Sequence, residues 1–344
     1  MNIVVLCGGL SSERDVSLTS GSMVAAALRR SGHRAVLIDA FFGYTGTYSS
    51  PEDIFSAPYD DSIVKIGENV PNLAAIRESR RQDNDSRVGD NLIEICRAAD
   101  IVFMALHGED GENGKLQALF DIMGIKYTGC GYLGSAIAMN KGLTKKLLAA
   151  AGVQTPDGIT LYKGQTPYGS VGFPCVVKPC SGGSSVGTSI VETEKDYLAA
   201  VELAFQYEEA VIVEKYVKGR ELTIGVLGGK PMPAIEIIPK TGFYDYKNKY
   251  QAGLTEEICP APLTAEETAE LSNLAVQVNA ALMLDTYCRV DFLLGGDDTF
   301  YCLEANTLPG MTPTSLIPQM AAQQGLSYEE LCEAIIRESL KKYN

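Results

Sequence analysis

The feature that most constrains the fold lies at the amino end, where an apolar strand, a glycine pair and a helix are followed by a second strand. Ile3 to Leu6 is a short apolar run, and Gly8-Gly9-Leu10-Ser11-Ser12-Glu13 breaks it. Helically spaced apolar residues then run through Val16, Met23, Ala27 and Leu28 to a C-capping Gly32, and Ala35 to Ile38 resumes as strand. Such alternation requires parallel pairing, because a helix is the usual connection between two parallel strands. A third strand, Ile101 to Leu106, ends in His107-Gly108. Ligands of parallel sheets sit beyond the carboxyl ends of the strands, so Glu13 and His107 belong to the rim of one crevice.

The chain has 344 residues, 46% apolar and 21% charged, enough for two or three packed units. A net charge of −14 argues against a nucleic-acid or anionic-membrane partner, yet a few lysines can still make one cleft locally positive. The first residues lack a basic segment and no apolar stretch is long enough for a membrane span. Nine scattered cysteines without a C-x-x-C pair read as reduced, buried thiols of a cytoplasmic protein.

Residues 41–90 are polar with weak periodicity and read as an insertion, with a short helix over Ala74 to Arg81. From about residue 131 the pattern becomes α+β. Helix Asn140 to Ala151 precedes strand Cys175 to Lys178, a glycine–serine turn, strand Thr188 to Glu192, helix Lys195 to Tyr207 and strand Val211 to Glu214. Strands Glu221 to Leu227 and Met232 to Ile238 meet at Gly228-Gly229, a hairpin signal. Thr264-x-x-Glu267 and Ser327-x-x-Glu330 each open a helix as a capping box. The fold class is therefore α/β followed by α+β: a parallel-sheet domain over 1–130, then units over 131–218 and 219–344 that read as two halves of one clamp.

The strongest chemical signal is Arg289-Val290-Asp291-Phe292 set against Leu303-Glu304-Ala305-Asn306. With a turn over Gly295 to Asp298, Leu294 faces Thr299. Alternation then places Arg289, Asp291, Glu304 and Asn306 on one face, and Val290, Phe292, Leu294, Tyr301 and Leu303 on a core face. Two carboxylates and a carboxamide suit a hard divalent cation that shares its remaining positions with phosphate and water. A cross-strand ion pair on a solvated face is the plainer alternative.

Lys178-Pro179-Cys180-Ser181-Gly182-Gly183-Ser184-Ser185-Val186-Gly187 joins two strands, and its backbone N–H groups can cradle phosphate, although it matches neither a Walker A nor a dinucleotide fingerprint. Glu13 serves equally well as a helix-dipole partner or as a functional carboxylate. Gly242 to Tyr250 has the length and aromatic content of a lid. Gly310 to Leu316 opens a helix whose free N–H groups suit an oxyanion or a carboxylate, beside ordinary N-capping by Thr314 or Ser315. His33 reads as a turn residue.

Taken in order, these segments resemble the D-alanine–D-alanine ligases of the ATP-grasp superfamily. The resemblance rests on Gly-Gly-x-Ser-Ser-Glu-Arg-Asp-Val-Ser-Leu at 8–18, Leu-His-Gly-Glu-Asp-Gly-Glu-Asn-Gly at 106–114 and Met-Asn-Lys at 139–141. It continues with Lys-Pro-x-x-x-Gly-Ser-Ser-Val-Gly at 178–187, Glu-Lys-Tyr at 214–216, Lys-Tyr at 249–250, Cys-Arg-Val-Asp at 288–291 and Glu-Ala-Asn-Thr-Leu-Pro-Gly-Met-Thr at 304–312. It implies an N-terminal substrate domain, a two-part ATP-grasp domain with a lid over 242–256, and a homodimer. It implies ATP as cosubstrate and two Mg²⁺ ions, with Mn²⁺ as a substitute, held by Asp291, Glu304 and Asn306.

Lys141, Lys178 and Lys215 would meet the phosphates or the base, while Glu214, Val217 and Glu221 would hold adenine and ribose. Glu13 would bind the ammonium of the first D-alanine, with His107 and Lys249 among the substrate-binding residues. Arg289 and Gly310 would stabilise the tetrahedral intermediate, and Ser315 and Leu316 would hold the second carboxylate. Tyr250 and Ser184 would link the lid to Glu13 and favour an amine over D-lactate. D-Serine or D-lactate as second substrate is the rival ligase reading, and a non-catalytic ATP-binding regulator is the rival outside enzymes. Asn113, Lys115, Asn140 and Gly182 depart from the usual family pattern.

Overall fold

The architecture is that of a computed structural model, which describes residues 1–59, 62, 66–67, 71–80, 85–165, 168–183, 186–240, 254–312 and 314–344. The amino-terminal expectation holds. β1 (Asn2–Cys7), α1 (Arg14–Arg30) and β2 (Arg34–Asp39) form a parallel crossover, and β3 (Ile101–Met104) pairs on the other side of β1, giving the order β2-β1-β3. Each strand is an unbroken apolar run because the sheet is covered, and Ile3, Val5, Leu28 and Phe103 are fully buried. The intervening stretch carries a 3-10 turn at Pro51–Ser56, α2 (Leu73–Ser79) and α3 (Leu92–Ala98). β3 ends two residues earlier than its apolar run does, so Ala105 to Gly108 is loop and leads into α4 (Glu109–Glu112) and α5 (Lys115–Met123).

Next come α6 (Tyr132–Met139) and α7 (Lys141–Ala150), then β4 (Gly158–Tyr162), β5 (Cys175–Pro179), β6 (Ser189–Val191), α8 (Glu194–Ala204) and β7 (Ala210–Lys215). These four strands form an antiparallel sheet in the order β4-β7-β5-β6, with Val177, Val201 and Val213 in its core beneath α8. Asn140 caps α7 by accepting from the Leu143 N–H at 2.9 Å, as an aspartate would.

The third sheet runs β11-β10-β8-β12-β13, built from β8 (Gly219–Leu227), β10 (Ile235–Pro239), β11 (Thr255–Ile258), β12 (Tyr287–Gly295) and β13 (Phe300–Asn306), with the short β9 (Lys230–Pro231) on β8. The glycine hairpin is present, Gly228 and Gly229 both having positive φ, but it closes on the short β9 ahead of Met232, and the strand expected over Met232 to Ile238 begins at Ile235 as β10. α9 (Ala265–Ala281) packs on this sheet through Leu271, Ala275 and Val278, and Ile137 and Leu148 of α6 and α7 join the same core. The last helices, α10 (Leu316–Gln323) and α11 (Tyr328–Leu340), return to the first sheet's core with Ile317, Met320 and Ile335.

The β12–β13 register corrects the simple alternation. Leu294 faces Phe300 and not Thr299, and a bulge between Asp291 and Phe292 leaves Leu303 as an extra residue. Phe300, Cys302 and Ala305 therefore supply the core face, while Tyr301 and Leu303 do not. Leu303 and Glu304 both turn towards the open cleft, and Arg289, Asp291, Glu304 and Asn306 still share one face.

Both capping boxes form. Thr264 Oγ1 accepts from the Glu267 N–H at 3.1 Å, and Glu267 Oε2 accepts from the Thr264 N–H at 2.7 Å. Thr264→Ala should lower stability by about 1 kcal/mol, read as a lower urea midpoint with an unchanged m-value.

Candidate active site

Two openings lie side by side. One, of about 460 Å³, is lined by residues of the first sheet's loops, Arg289, Asn306 and the 307–316 segment. The other, of about 570 Å³, lies between the second and third sheets and is lined by Lys178, Glu214, Glu221, Asp291 and Leu303 among others. Lys141, Gly182 and Glu304 line both, so the two meet at these residues.

The first cavity is built on the loop after β1. Ser17 Oγ accepts from the Gly8 N–H at 2.8 Å and donates to the Ala105 carbonyl at 2.7 Å. Ser11 Oγ donates to the His107 carbonyl at 2.6 Å, and Arg14 Nη1 donates to the Gly9 carbonyl at 2.6 Å. Gly8 has φ +71° and lies so close to Asp39 that a β-carbon would collide with its carboxylate, so only glycine fits. Glu13 occupies the N-cap position of α1 without capping it through its side chain. A β-carbon built on Gly108 or Gly183 would lie 3.1 or 3.4 Å from Glu13 Oε2, so this carboxylate sits between the end of the first sheet and the glycine–serine loop.

His107 is buried and held at both ring nitrogens. Nδ1 lies 2.8 Å from the Leu308 carbonyl and Nε2 lies 3.0 Å from Ser20 Oγ, which accepts from the Met311 N–H at 3.2 Å. A carbonyl only accepts, so Nδ1 carries the proton, and a neutral ring then accepts from the Ser20 hydroxyl at Nε2. Burial also pulls the His107 pKa down, opposed by Glu13. The histidine thus joins the end of the parallel sheet to the 308–311 turn that carries Gly310.

Glu112 makes a second joint. Its carboxylate accepts from the Gly108 N–H at 2.8 Å and from the Leu308 N–H at 3.2 Å. Burial, and then the nearby Glu13, push its pKa up to about 7.

On the shared wall, Arg289 grips Asp291 with Nε and Nη2, both at 2.9 Å. Thr223 Oγ1 donates to Asp291 Oδ1 at 2.6 Å, and Asn306 Nδ2 donates to Asp291 Oδ2 at 3.0 Å. Lys141 Nζ donates to the Gly182 carbonyl at 2.7 Å and lies 3.2 Å from Glu304. Ser315 is the N-cap of α10, but its Oγ turns back to accept from the Thr312 N–H at 3.0 Å. The first turn of that helix therefore has no side-chain cap and faces the cavity.

In the second opening, Glu214 lies between two lysines, Lys178 at 2.6 Å and Lys145 at 2.7 Å. Val217 and Glu221 line the same cleft beside the apolar Val176, Ile190, Leu293 and Leu303. Lys215 borders it with its ammonium held by the exposed Asp157 at 2.9 Å.

The family models described as D-ala D-ala ligase N-terminus and D-ala D-ala ligase C-terminus match residues 2–130 and 152–337. The D-alanine–D-alanine ligase of Pediococcus pentosaceus is 43% identical over 100% of this chain and 99% of its own length. That of Lacticaseibacillus casei is 42% identical over 100% and 97%. The crystal structure of D-alanine–D-alanine ligase from Bacillus anthracis complexed with ATP superposes with a TM-score of 0.77 at 31% identity, covering 99% of this chain and 98% of that one. The chain belongs to the D-alanine–D-alanine ligase family.

Of the residues that the family resemblance singles out, Glu13, His107, Lys141, Arg289, Glu304, Asn306, Gly310, Ser315 and Leu316 gather at the first cavity. Lys178, Glu214, Lys215, Val217, Glu221 and Asp291 gather at the second. Ser184, Lys249 and Tyr250 lie outside the described residues, as does most of the lid segment.

Four further residues belong to the site. Glu112 stands inside the 106–114 motif of the family, and Lys145 lies one helical turn beyond Lys141; both signals are legible in sequence. Ser20 and Thr223 reach the site only through tertiary contacts and carry no local signal.

Glu112 gives a pH-dependent prediction. Its folded pKa is raised, so the folded ligand-free protein holds the proton more tightly than the unfolded chain and loses stability as pH rises from about 4.5 to about 7. Glu112→Gln removes that loss. The difference in unfolding free energy between variant and parent should move in the variant's favour by about 2–3 kcal/mol from pH 5 to pH 8. Parallel melting curves across that range would show Glu112 to be an ordinary carboxylate.

Proposed function

We propose that this protein joins two D-alanines to D-alanyl-D-alanine at the expense of ATP, through a D-alanyl phosphate, to supply the dipeptide of peptidoglycan. The observation that carries the reading is the meeting of the two openings at Lys141, Gly182 and Glu304, where a phosphoryl group can pass from a nucleotide in one to a carboxylate in the other. ATP lies between the 131–218 and 219–344 units. Its base packs on Leu293 and Leu303, with Glu214, Val217 and Glu221 at adenine and ribose and Lys141, Lys178 and Lys215 towards the phosphates and base.

Asp291, Glu304 and Asn306 would hold Mg²⁺, or Mn²⁺ in its place. They share one strand face, and their hard, mostly anionic oxygens fit such an ion. When bound, Mg²⁺ supplies charge neutralisation on the phosphates.

The first D-alanine sets its ammonium against Glu13, and its carboxylate oxygen attacks the γ-phosphorus as ADP leaves. The amine of the second attacks the acyl carbon, and phosphate leaves. Arg289 and the Gly310 N–H stabilise the oxyanion of that step. Ser315 and Leu316, at the uncapped start of α10, hold the second carboxylate. His107 and Lys249 serve substrate binding, the former through the 308–311 turn it holds. Ser184 and Tyr250 connect the lid to Glu13, and the closed lid keeps water from the acyl phosphate. The protein works in the cytoplasm as a homodimer with small-molecule substrates, without nucleic acid or membrane; among the described residues, no helix is long and apolar enough to cross a bilayer.

Incubation with MgATP and D-alanine should release ADP and D-alanyl-D-alanine in equal amounts, with D-serine and D-lactate far poorer as second substrates. ADP release without dipeptide, or product with D-lactate alone, would overturn the reading. Arg289→Met should lower kcat by on the order of 10²–10³. Affinity for ADP should stay near the parent's, and a variant of normal turnover would remove Arg289 from the mechanism.

A further inference from the structure

We propose that Lys145 is a positioning residue of the nucleotide cleft: by holding one oxygen of Glu214 from behind, it leaves Lys178 a surplus charge for the nucleotide phosphates. The proposal rests on reading this cleft as the ATP site. Glu214 and Lys178 both line the cleft, whereas Lys145 stands behind them on α7. Lys145 Nζ lies 2.7 Å from Glu214 Oε1 and 2.5 Å from the Pro156 carbonyl, and Lys178 Nζ lies 2.6 Å from Glu214 Oε2.

The group is well removed from water, with 3% of the Glu214 side chain exposed and 13% and 14% of the two lysines. Charges so placed persist only when they are paired. Burial pulls the Lys145 ammonium below its ordinary pKa, and Glu214 opposes this. Burial acts on Lys178 as well, but Glu214 and then Glu304 carry it above its usual value. Glu214, in spite of burial, is held low by the two ammoniums. Two ammoniums within 2.7 Å of one carboxylate make a paired triad whose sum is one positive charge. It is displayed on the cleft side because, of the two lysines, Lys178 lines the cleft and Lys145 does not.

Without Lys145 the count changes. Glu214 and Lys178 become a closed neutral pair, and the lysine has no net charge to share with a phosphate. The pairing on β5 and β7 keeps the two in contact, since Val176 lies opposite Glu214 and Lys178 is two residues further along the same face.

The test compares the parent with Lys145→Met, Lys145→Gln and Lys145→Arg. MgADP is titrated by calorimetry and adenosine by ligand-observed NMR, because adenosine reports the base pocket without the phosphates. Lys145→Met should lose about tenfold in MgADP affinity and at most about twofold in adenosine affinity, with KM for ATP rising more than kcat falls. Lys145→Gln should lose as much as Lys145→Met, whereas Lys145→Arg, which keeps the charge, should stay within about threefold.

MgADP affinity of Lys145→Met within about twofold of the parent's, equal losses for MgADP and adenosine, or a Lys145→Arg as weak as Lys145→Met would each overturn the proposal. Should Lys145→Met fail to fold, Lys145→Gln decides: a tenfold loss for MgADP with adenosine little changed supports the charge count, and MgADP affinity within about twofold of the parent's overturns it. A parent that binds no MgADP overturns the reading of the cleft and this inference with it. A parent that binds while the variants remain unchanged overturns the inference alone.

Discussion

Charge kept out of water is the constraint on which the rest of this structure depends. Asp291 is buried against Arg289, Thr223 and Asn306, Glu214 against two lysines, and Lys141 beside Glu304. None of these groups is stable alone in such surroundings, because the cost of burying one charge exceeds what a single domain can spare. Each must be met by a partner from another element, and those elements are fixed in place as a result. The third sheet supplies the acidic wall, α7 and β5 supply the cations, and the glycine–serine loop lies where Lys141 can reach its Gly182 carbonyl.

Buried polar groups join the parallel sheet to the rest in the same way. His107 and Glu112 both end on the 308–311 turn, one through the Leu308 carbonyl and the other through the Leu308 N–H. A turn without regular structure is thereby held by its backbone groups from two sides. This matters for the proposed oxyanion role of the Gly310 N–H, since a displacement of an ångström there is costly. Ser315 acts in the same way: its hydroxyl fastens Thr312 instead of capping its own helix, and the open helix terminus is left facing the cavity.

Much of this was legible in the sequence because the signals were local and periodic. The parallel crossover through Gly8-Gly9, the two capping boxes and the Gly228-Gly229 hairpin are each decided by a few neighbouring residues. The acidic strand face was legible too, although alternation alone misplaced Tyr301 and Leu303. A bulge inserts one residue and resets the count, and nothing in Phe300 to Asn306 announces it. Contacts made at a distance were out of reach for a different reason. Thr223 meets Asp291 across two strands, and Ser20 meets His107 from the middle of a helix, so sequence spacing holds no trace of either. Lys145 is intermediate: its place one turn after Lys141 was visible, but Glu214, its partner, is 69 residues away.

The bulge also explains how one short strand serves two chemistries. A regular strand would offer its cleft face alternate residues only, so that an apolar side chain and a carboxylate would stand two positions apart. With Leu303 inserted, an apolar surface and the Glu304 carboxylate follow each other directly on the same side. The base of a nucleotide needs the first and its phosphate end needs the second. Their separation along the strand becomes one residue, while Asp291 remains directly opposite Glu304 on the neighbouring strand. Without the irregularity the carboxylates would keep their places and Leu303 would leave the cleft face beside Glu304, so the bulge is what sets an apolar side chain and a carboxylate next to each other there.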